Sequence, residues 1–172
     1  MALMASTRRE VDVPSYPWWL MLLTPLAALA LQSLLAVHFP RFNYVDLPLL
    51  VTIYFGITWR SPIGGTIFGA GIGILQDALT QHPLGVFGIG KSIVGYLGAS
   101  FGIRIDTESF FTRLLIIPSF TLLQSAIVWV LEQRMLEQPY AWIWAHEGIR
   151  CAVNAGLGLF LFGLLDRARR SD

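Results

Sequence analysis

The stretch Asp77–Lys91, DALTQHPLGVFGIGK, decides the fold because it places two charges at equal distances from a turn. Asp77 lies six residues before Pro83, and Lys91 lies six residues after Gly85, so Leu84 is the midpoint. The flanking segments are apolar, and two antiparallel membrane helices joined here would hold both charges at one depth. A lone charge at the bilayer centre costs about 3 kcal/mol or more. We therefore predict a membrane hairpin with Asp77 and Lys91 as an intramembrane polar pair.

Three interpretations of this pair stay open. In the first, the two charges neutralise each other within the hairpin. In the second, Lys91 extends to the outer interface, about 9 Å away along the helix, while Asp77 binds backbone donors or Gln76. In the third, the pair belongs to a transport or proton-relay pathway.

Composition supports a membrane protein. The 172 residues are 55% hydrophobic and 13% charged, whereas soluble domains are about 25% charged. The mean hydropathy is +0.60. A net charge of +1 argues against a nucleic-acid-binding protein, which would carry a basic face. The single cysteine, Cys151, cannot form an intrachain disulfide, and no cluster of residues indicates a metal or cofactor.

Apolar segments predict a single all-α membrane domain over 1–172, a compact bundle of six transmembrane helices. The predicted spans are 17–39, 45–59, 63–80, 85–105, 110–131 and 149–165. The second span would cover only about 22 Å of a roughly 30 Å hydrocarbon core, so it is broken, re-entrant or buried, and five spans is the alternative count. No cleavable signal peptide is evident, and the aromatic segment from Glu132 to His146, which includes Trp142, is expected at the lipid–water interface.

The distribution of arginines predicts the orientation. With six spans and the N-terminus inside, one side holds Arg8, Arg9, Arg60, Arg104, Arg113, Arg167, Arg169 and Arg170, and the other holds Arg41, Arg134 and Arg150. Positive charge is enriched on the cytoplasmic side of membrane proteins. Both termini are therefore expected in the cytoplasm, and the hairpin turn Pro83–Leu84–Gly85 is expected to point outward.

Three short patterns resemble motifs of enzymes or nucleotide-binding proteins, but the residues around each one lack what the motif requires. Residues 85–92 match the phosphate-loop pattern G-x-x-x-x-G-K-S, but a turn precedes them where a strand is required, so no nucleotide binding is expected. Residues 98–102 match G-x-S-x-G, yet the histidines are predicted about 22 Å from Ser100. His146-Glu147 begins a zinc-binding pattern in which Arg150 replaces the second histidine. We predict no catalytic residues.

Glycines recur at helical spacing and predict close helix packing or a partner-binding face. They are Gly65, Gly69 and Gly73 on the third span and Gly95, Gly98 and Gly102 on the fourth, with Gly156 and Gly163 as a weaker set on the last. Small residues let helix backbones approach closely in lipid. Gln32, Gln124 and Asn154 are expected to form interhelical hydrogen bonds or to face a partner.

The same residues resemble the core of the rod shape-determining protein MreD family. That core is a glycine-rich span ending in G-x-x-x-D, a turn with Leu-Gly, and another glycine-bearing span. Here these parts are Gly73–Asp77, Pro83–Gly85 and Gly95–Gly98, and length, span number and orientation also agree. The longer N-terminal arm and the tryptophan-rich segment around Trp142 depart from the family pattern.

The resemblance implies an inner-membrane scaffold, not an enzyme, of the machinery that elongates rod-shaped bacteria and supports peptidoglycan synthesis. Its implied partners are a single-span MreC-like protein and, through it, the MreB cytoskeleton and the RodA–transpeptidase pair. It also implies a bundle similar to the S subunits of energy-coupling-factor transporters. The alternative function is transport, as a vitamin-binding subunit or an ion-coupled carrier, with Asp77, Lys91, Gln76 and Asn154 as the midspan polar candidates.

Overall fold

A computed structural model describes residues 18–38, 44–105, 109–135 and 142–170. These residues form six α-helices, as predicted, and the described ranges contain no strand. The helices are α1 (Trp18–His38), α2 (Leu47–Trp59), α3 (Pro62–Thr80), α4 (Val86–Arg104), α5 (Phe110–Arg134) and α6 (Trp144–Arg170). The expected all-α bundle is confirmed.

The shortest helix, α2, occupies the centre of the bundle. Ten of its 13 residues are buried, including the fully enclosed side chains of Leu49, Tyr54 and Phe55. All five other helices contact it. At about 1.5 Å per residue α2 is roughly 20 Å long, shorter than the hydrocarbon core, so it is enclosed by the longer helices. Of the three predictions for the short span, burial against its neighbours is the one observed.

Glycines bring α3 and α4 together along most of their length. A Cβ built on Gly69 would overlap the carbonyl of Lys91, and one built on Gly73 would overlap the carbonyl of Phe87. Gly65 and Gly95 face each other in the same way. The glycine face of α3 is therefore buried against α4 and is not open to a partner.

Two further glycines of α4, Gly98 and Gly102, pack against the central helix α2. A Cβ on Gly102 would overlap the carbonyl of Ile57, and one on Gly98 would lie 3.7 Å from the Ile57 backbone. Of the two roles expected for the six glycines, helix packing is the one that their positions show. The closest approaches all occur between helices of this chain.

The outer surface of the bundle is apolar. Exposed large hydrophobic side chains include Leu26 and Leu34 on α1, Ile67 on α3, Phe111 on α5 and Phe160 on α6. Among the described residues, four helices are long and apolar enough to cross a membrane, namely α3, α4, α5 and residues Trp144–Ala168 of α6. The chain thus forms a bundle whose exterior suits lipid contact.

The largest difference from the predicted bounds lies at the end of the chain. α5 continues to Arg134, and α6 begins at Trp144 and ends at Arg170, so both exceed the predicted spans 110–131 and 149–165. In the segment from Glu132 to His146, which was expected at the lipid–water interface, residues 132–134 and 144–146 are helical, and residues 136–141 lie outside the described ranges. A hydrogen bond from the Glu147 N–H to the Ile143 carbonyl, 3.1 Å long, supports this early start of α6.

Candidate functional site

A buried ionic cluster surrounds Asp46, which caps the N-terminus of α2. One carboxylate oxygen, Oδ1, accepts a 2.9 Å hydrogen bond from the Leu49 N–H. The other, Oδ2, lies 3.1 Å from Nζ of Lys91 on α4 and accepts a 2.6 Å bond from Gln124 on α5. A guanidinium nitrogen of Arg150 on α6 lies 3.6 Å from the same oxygen. We call Asp46, Lys91, Gln124 and Arg150 the Asp46 cluster.

Two amide side chains hold the backbone just before α2. Gln32 of α1 donates to the Val45 carbonyl at 2.9 Å and accepts from the Leu47 N–H at 3.1 Å. Asn154 of α6 accepts from the Asp46 N–H at 3.0 Å and donates to the Tyr44 carbonyl at 3.1 Å. The interhelical hydrogen bonding predicted for Gln32, Gln124 and Asn154 is confirmed. Four helices thus converge on the segment that starts α2.

Asp77 forms a separate network within the hairpin. Its Oδ2 accepts from the N–H groups of Gly85 at 2.8 Å and Gly88 at 3.3 Å, and its Oδ1 accepts from the Phe87 N–H at 3.1 Å. The first N–H groups of a helix have no intrahelical acceptor and carry a partial positive charge. The Asp77 carboxylate at this position supplies the missing acceptors and a negative charge that balances the partial positive charge. The Asp77 backbone carbonyl also accepts from the His82 N–H at 3.1 Å, at the end of α3.

The two charges expected to pair therefore lie in different networks. Lys91 is fully buried and binds Asp46 and Gln124, at 3.1 and 3.2 Å. Asp77 binds backbone donors, as the second interpretation predicts, but that interpretation is wrong in sending Lys91 to the interface. The physical reason is that three N–H groups at the start of α4, those of its N-cap Gly85 and of Phe87 and Gly88, donate to the Asp77 carboxylate.

The turn Pro83–Leu84–Gly85 joins α3 to α4. Leu84 at the tip of the turn is 74% exposed. Gly85 has a φ of 102°, a left-handed backbone conformation that residues other than glycine rarely adopt. This conformation aims the Gly85 N–H at Asp77. In a phosphate loop, backbone N–H groups of this kind would bind phosphate. Here the carboxylate of Asp77 accepts hydrogen bonds from these N–H groups.

Ser100, the centre of the G-x-S-x-G pattern, lies inside α4. Its hydroxyl donates to the Tyr96 carbonyl one turn earlier, at 2.8 Å. A nucleophile elbow instead places the serine at a strand-to-helix turn. The environment of Ser100 is thus that of an ordinary helical serine.

A smaller group of charged and polar residues joins helices at the end of the bundle opposite the hairpin turn. Asp166 on α6 accepts from Arg113 on α5 at 2.6 Å and from the Tyr54 hydroxyl on α2 at 3.0 Å. This arrangement joins α2, α5 and α6 at the end away from the hairpin turn. The Asp46 cluster therefore holds the start of α2, and the Asp166 group holds Tyr54 in the middle of the same helix.

A face of α6 that carries small residues is open. Gly148, Ala152 and Gly156 recur every four residues on α6 and are exposed, and no atom lies within 4 Å of a Cβ built on either glycine. We call these three residues the α6 small-residue face. It differs from the α3 glycines because no described helix covers it.

Sequence reasoning missed Asp46, and it used Arg150 only as an outer-side charge and as the residue that breaks the zinc-binding pattern. A signal for Asp46 was present, since an Asp two residues before Pro48 at the start of an apolar run is typical of a helix N-cap. No comparable signal joins Arg150 to Asp46, because the two residues are 104 positions apart and only the packing of α6 against α2 brings them together.

The sequence was compared with known proteins. It matches the family described as rod shape-determining protein MreD over residues 14–144. No curated protein matches the chain, and no solved structure does so either. The likeness to transporter S subunits therefore stays a prediction.

Proposed function

Because the chain belongs to the MreD family of rod shape-determining membrane proteins, we propose that it is a non-enzymatic scaffold of the bacterial cell-elongation machinery. In this proposal it lies in the inner membrane with both termini in the cytoplasm. It binds an MreC-like single-span protein and through it supports the MreB cytoskeleton and peptidoglycan synthesis by the RodA–transpeptidase pair.

The observation that carries the proposal is a contrast between two parts of the bundle. Hydrogen bonds and ion pairs join the helices in the interior, whereas the α6 small-residue face is left uncovered by the described helices. The buried charges of Asp46, Lys91 and Asp77 are paired or hydrogen-bonded within the bundle, in the Asp46 cluster and the Asp77 cap. What the bundle offers to a membrane partner is an apolar exterior with the α6 small-residue face. Without a hydrophobic driving force between helices in lipid, association depends on close packing, which small residues permit.

We propose this face as the docking site for the partner helix, in place of the glycines of α3. Gly148, Ala152 and Gly156 follow a small-xxx-small spacing that allows a second helix to approach the backbone. Leucine at Gly156 would keep the fold, because nothing lies within 4 Å of that position, and would block close approach.

The experiment is co-purification of the full chain with the MreC-like protein of the same bacterium. Gly156→Leu is expected to reduce partner recovery by more than half. Gly71→Leu is the matched control, since Gly71 on α3 is equally open and lies outside the face. Unchanged recovery with Gly156→Leu, or equal loss with both variants, would contradict this docking site.

The scaffold itself is tested by complementation. The wild-type chain is expected to restore rod shape to a bacterium depleted of its own homologue. If the chain fails to restore shape and instead retains a tightly bound small molecule through purification, as seen by mass spectrometry, the transport alternative would replace the scaffold.

A further inference from the structure

An apolar groove runs along the surface between α1 and α6 and has α2 as its floor. Its volume is about 680 Å³. The lining comprises one face of α1 from Trp19 to Leu31, Leu47 and Val51 of α2, and the last turns of α6. At 1.5 Å per residue the α1 side is about 18 Å long, slightly more than half of a roughly 30 Å hydrocarbon core. The groove therefore has the length of one lipid leaflet.

A second, smaller groove lies on the other side of the α6 terminus. Its volume is about 240 Å³, and it is lined by Leu159, Phe160, Gly163, Leu164 and Arg167. Leu164 and Arg167 line both grooves. The two grooves thus flank one turn of α6 and share one cation.

Arg167 gives this region its charge. Its side chain is exposed, and no ion pair joins it to a carboxylate within the described ranges. The neighbouring carboxylate, Asp166, already accepts bonds from Arg113 and Tyr54. Trp19, 46% exposed, lines the larger groove near the start of α1. Tryptophan is enriched at the lipid headgroup level, so Trp19 and Arg167 mark the membrane interface.

We propose that these two grooves and Arg167 form a binding site for an anionic glycerophospholipid, such as phosphatidylglycerol. The acyl chains lie in the grooves on the two sides of Leu164, and the phosphate binds the Arg167 guanidinium. Basic pockets between membrane helices bind anionic headgroups by this combination of charge and apolar surface. The site is independent of the partner proposed above, because the α6 small-residue face lies nearer the other end of α6.

The experiment measures lipid retention by the full chain in mild detergent, using native mass spectrometry with phosphatidylglycerol or phosphatidylcholine added. Wild type is expected to bind phosphatidylglycerol at least about fivefold more tightly, the effect of one basic residue near a charged surface. Arg167→Gln is expected to abolish this preference. Arg104→Gln, an exposed arginine at the same end of the bundle that lines neither groove, is the matched control and should retain it.

Two further variants test the grooves without changing charge. Ala27→Phe fills the larger groove from an exposed position, and Gly163→Leu fills the smaller one at an open position. Each is expected to reduce retention of both lipids. The proposal is overturned if Arg167→Gln keeps the preference, if Arg104→Gln loses it equally, or if Ala27→Phe releases the MreC-like partner while lipid retention is unchanged.

Discussion

Lys91 Nζ lies 3.1 Å from Asp46 Oδ2, although the two residues are 45 positions apart and both are buried. Removing one partner of a buried ion pair leaves an uncompensated charge, which is more costly than removing both. This relationship makes the interior of the bundle sensitive to single substitutions and tolerant of some double ones.

Lys91→Met is expected to lower the free energy of unfolding by about 3 kcal/mol, because Asp46 loses its ammonium partner and keeps only the more distant Arg150, at 3.6 Å. The double variant Lys91→Met/Asp46→Asn is expected to lose less stability than the sum of the two single variants, because both single variants break the same ion pair. Asparagine caps helices as well as aspartate does and carries no charge. Unfolding in mild detergent measures both. A double variant that is as unstable as the sum of the two single variants would contradict this pairing.

Asp77→Ala is expected to destabilise the hairpin by about 1–3 kcal/mol, because the N–H groups of Gly85, Phe87 and Gly88 lose their acceptor. Asp77→Asn should fall between Ala and wild type, since an amide keeps one accepting oxygen. Ser61→Ala is the control, because Ser61 accepts a single exposed bond of 3.3 Å at the start of α3. Thermal unfolding ranks the four proteins. An Asp77→Ala loss no larger than the Ser61→Ala loss would argue against the cap.

Gly69→Ala is expected to destabilise the bundle, because the added methyl would overlap the carbonyl of Lys91 and push α3 away from α4. Gly71→Ala, two positions along the same helix, should be neutral or stabilising by up to about 1 kcal/mol, since alanine favours helix and the site is open. The midpoint of thermal unfolding distinguishes them. Equal behaviour of the two variants would mean that the α3–α4 contact is looser than described.

Leu84→Cys is expected to react from outside the cell, because the exposed hairpin turn points outward in the proposed orientation. The measurement is labelling of intact spheroplasts with a membrane-impermeant maleimide, in a Cys151→Ala background. Arg104→Cys, at the opposite end of α4, should react only after permeabilisation. The reverse pattern would invert the topology.

Much of the fold was predictable from the sequence because lipid imposes a simple rule. Each spanning segment must be apolar and must satisfy its own backbone, so hydropathy and turns reveal the helices. The small residues Gly69, Gly73 and Gly95 likewise predict close packing. The predicted span was shorter than α6. One reason is that the first turn of α6 contains Trp144, His146 and Glu147, and such a mixture of aromatic and polar residues is typical of an interfacial loop.

The partners of Asp77 and Lys91 were less predictable, because each charge binds the group that lies closest to it in the folded chain. Asp77 and Lys91 are symmetric about Leu84 along the chain, and that symmetry suggested a pair. In the folded chain, the N–H groups at the start of α4 donate to Asp77. The packing of α2 against α4 brings Asp46 to Lys91. Sequence spacing fixes depth along a helix but not the direction in which a side chain points.

The sequence by itself determined that this chain is a helical membrane protein with a glycine-rich hairpin, because apolar length and small-residue spacing are local properties. Only the tertiary structure decided which charges neutralise each other, that α2 is the enclosed centre, and which glycine face is left open on α6. Those outcomes depend on how six helices are arranged around one another, and that arrangement is a property of contacts between distant residues.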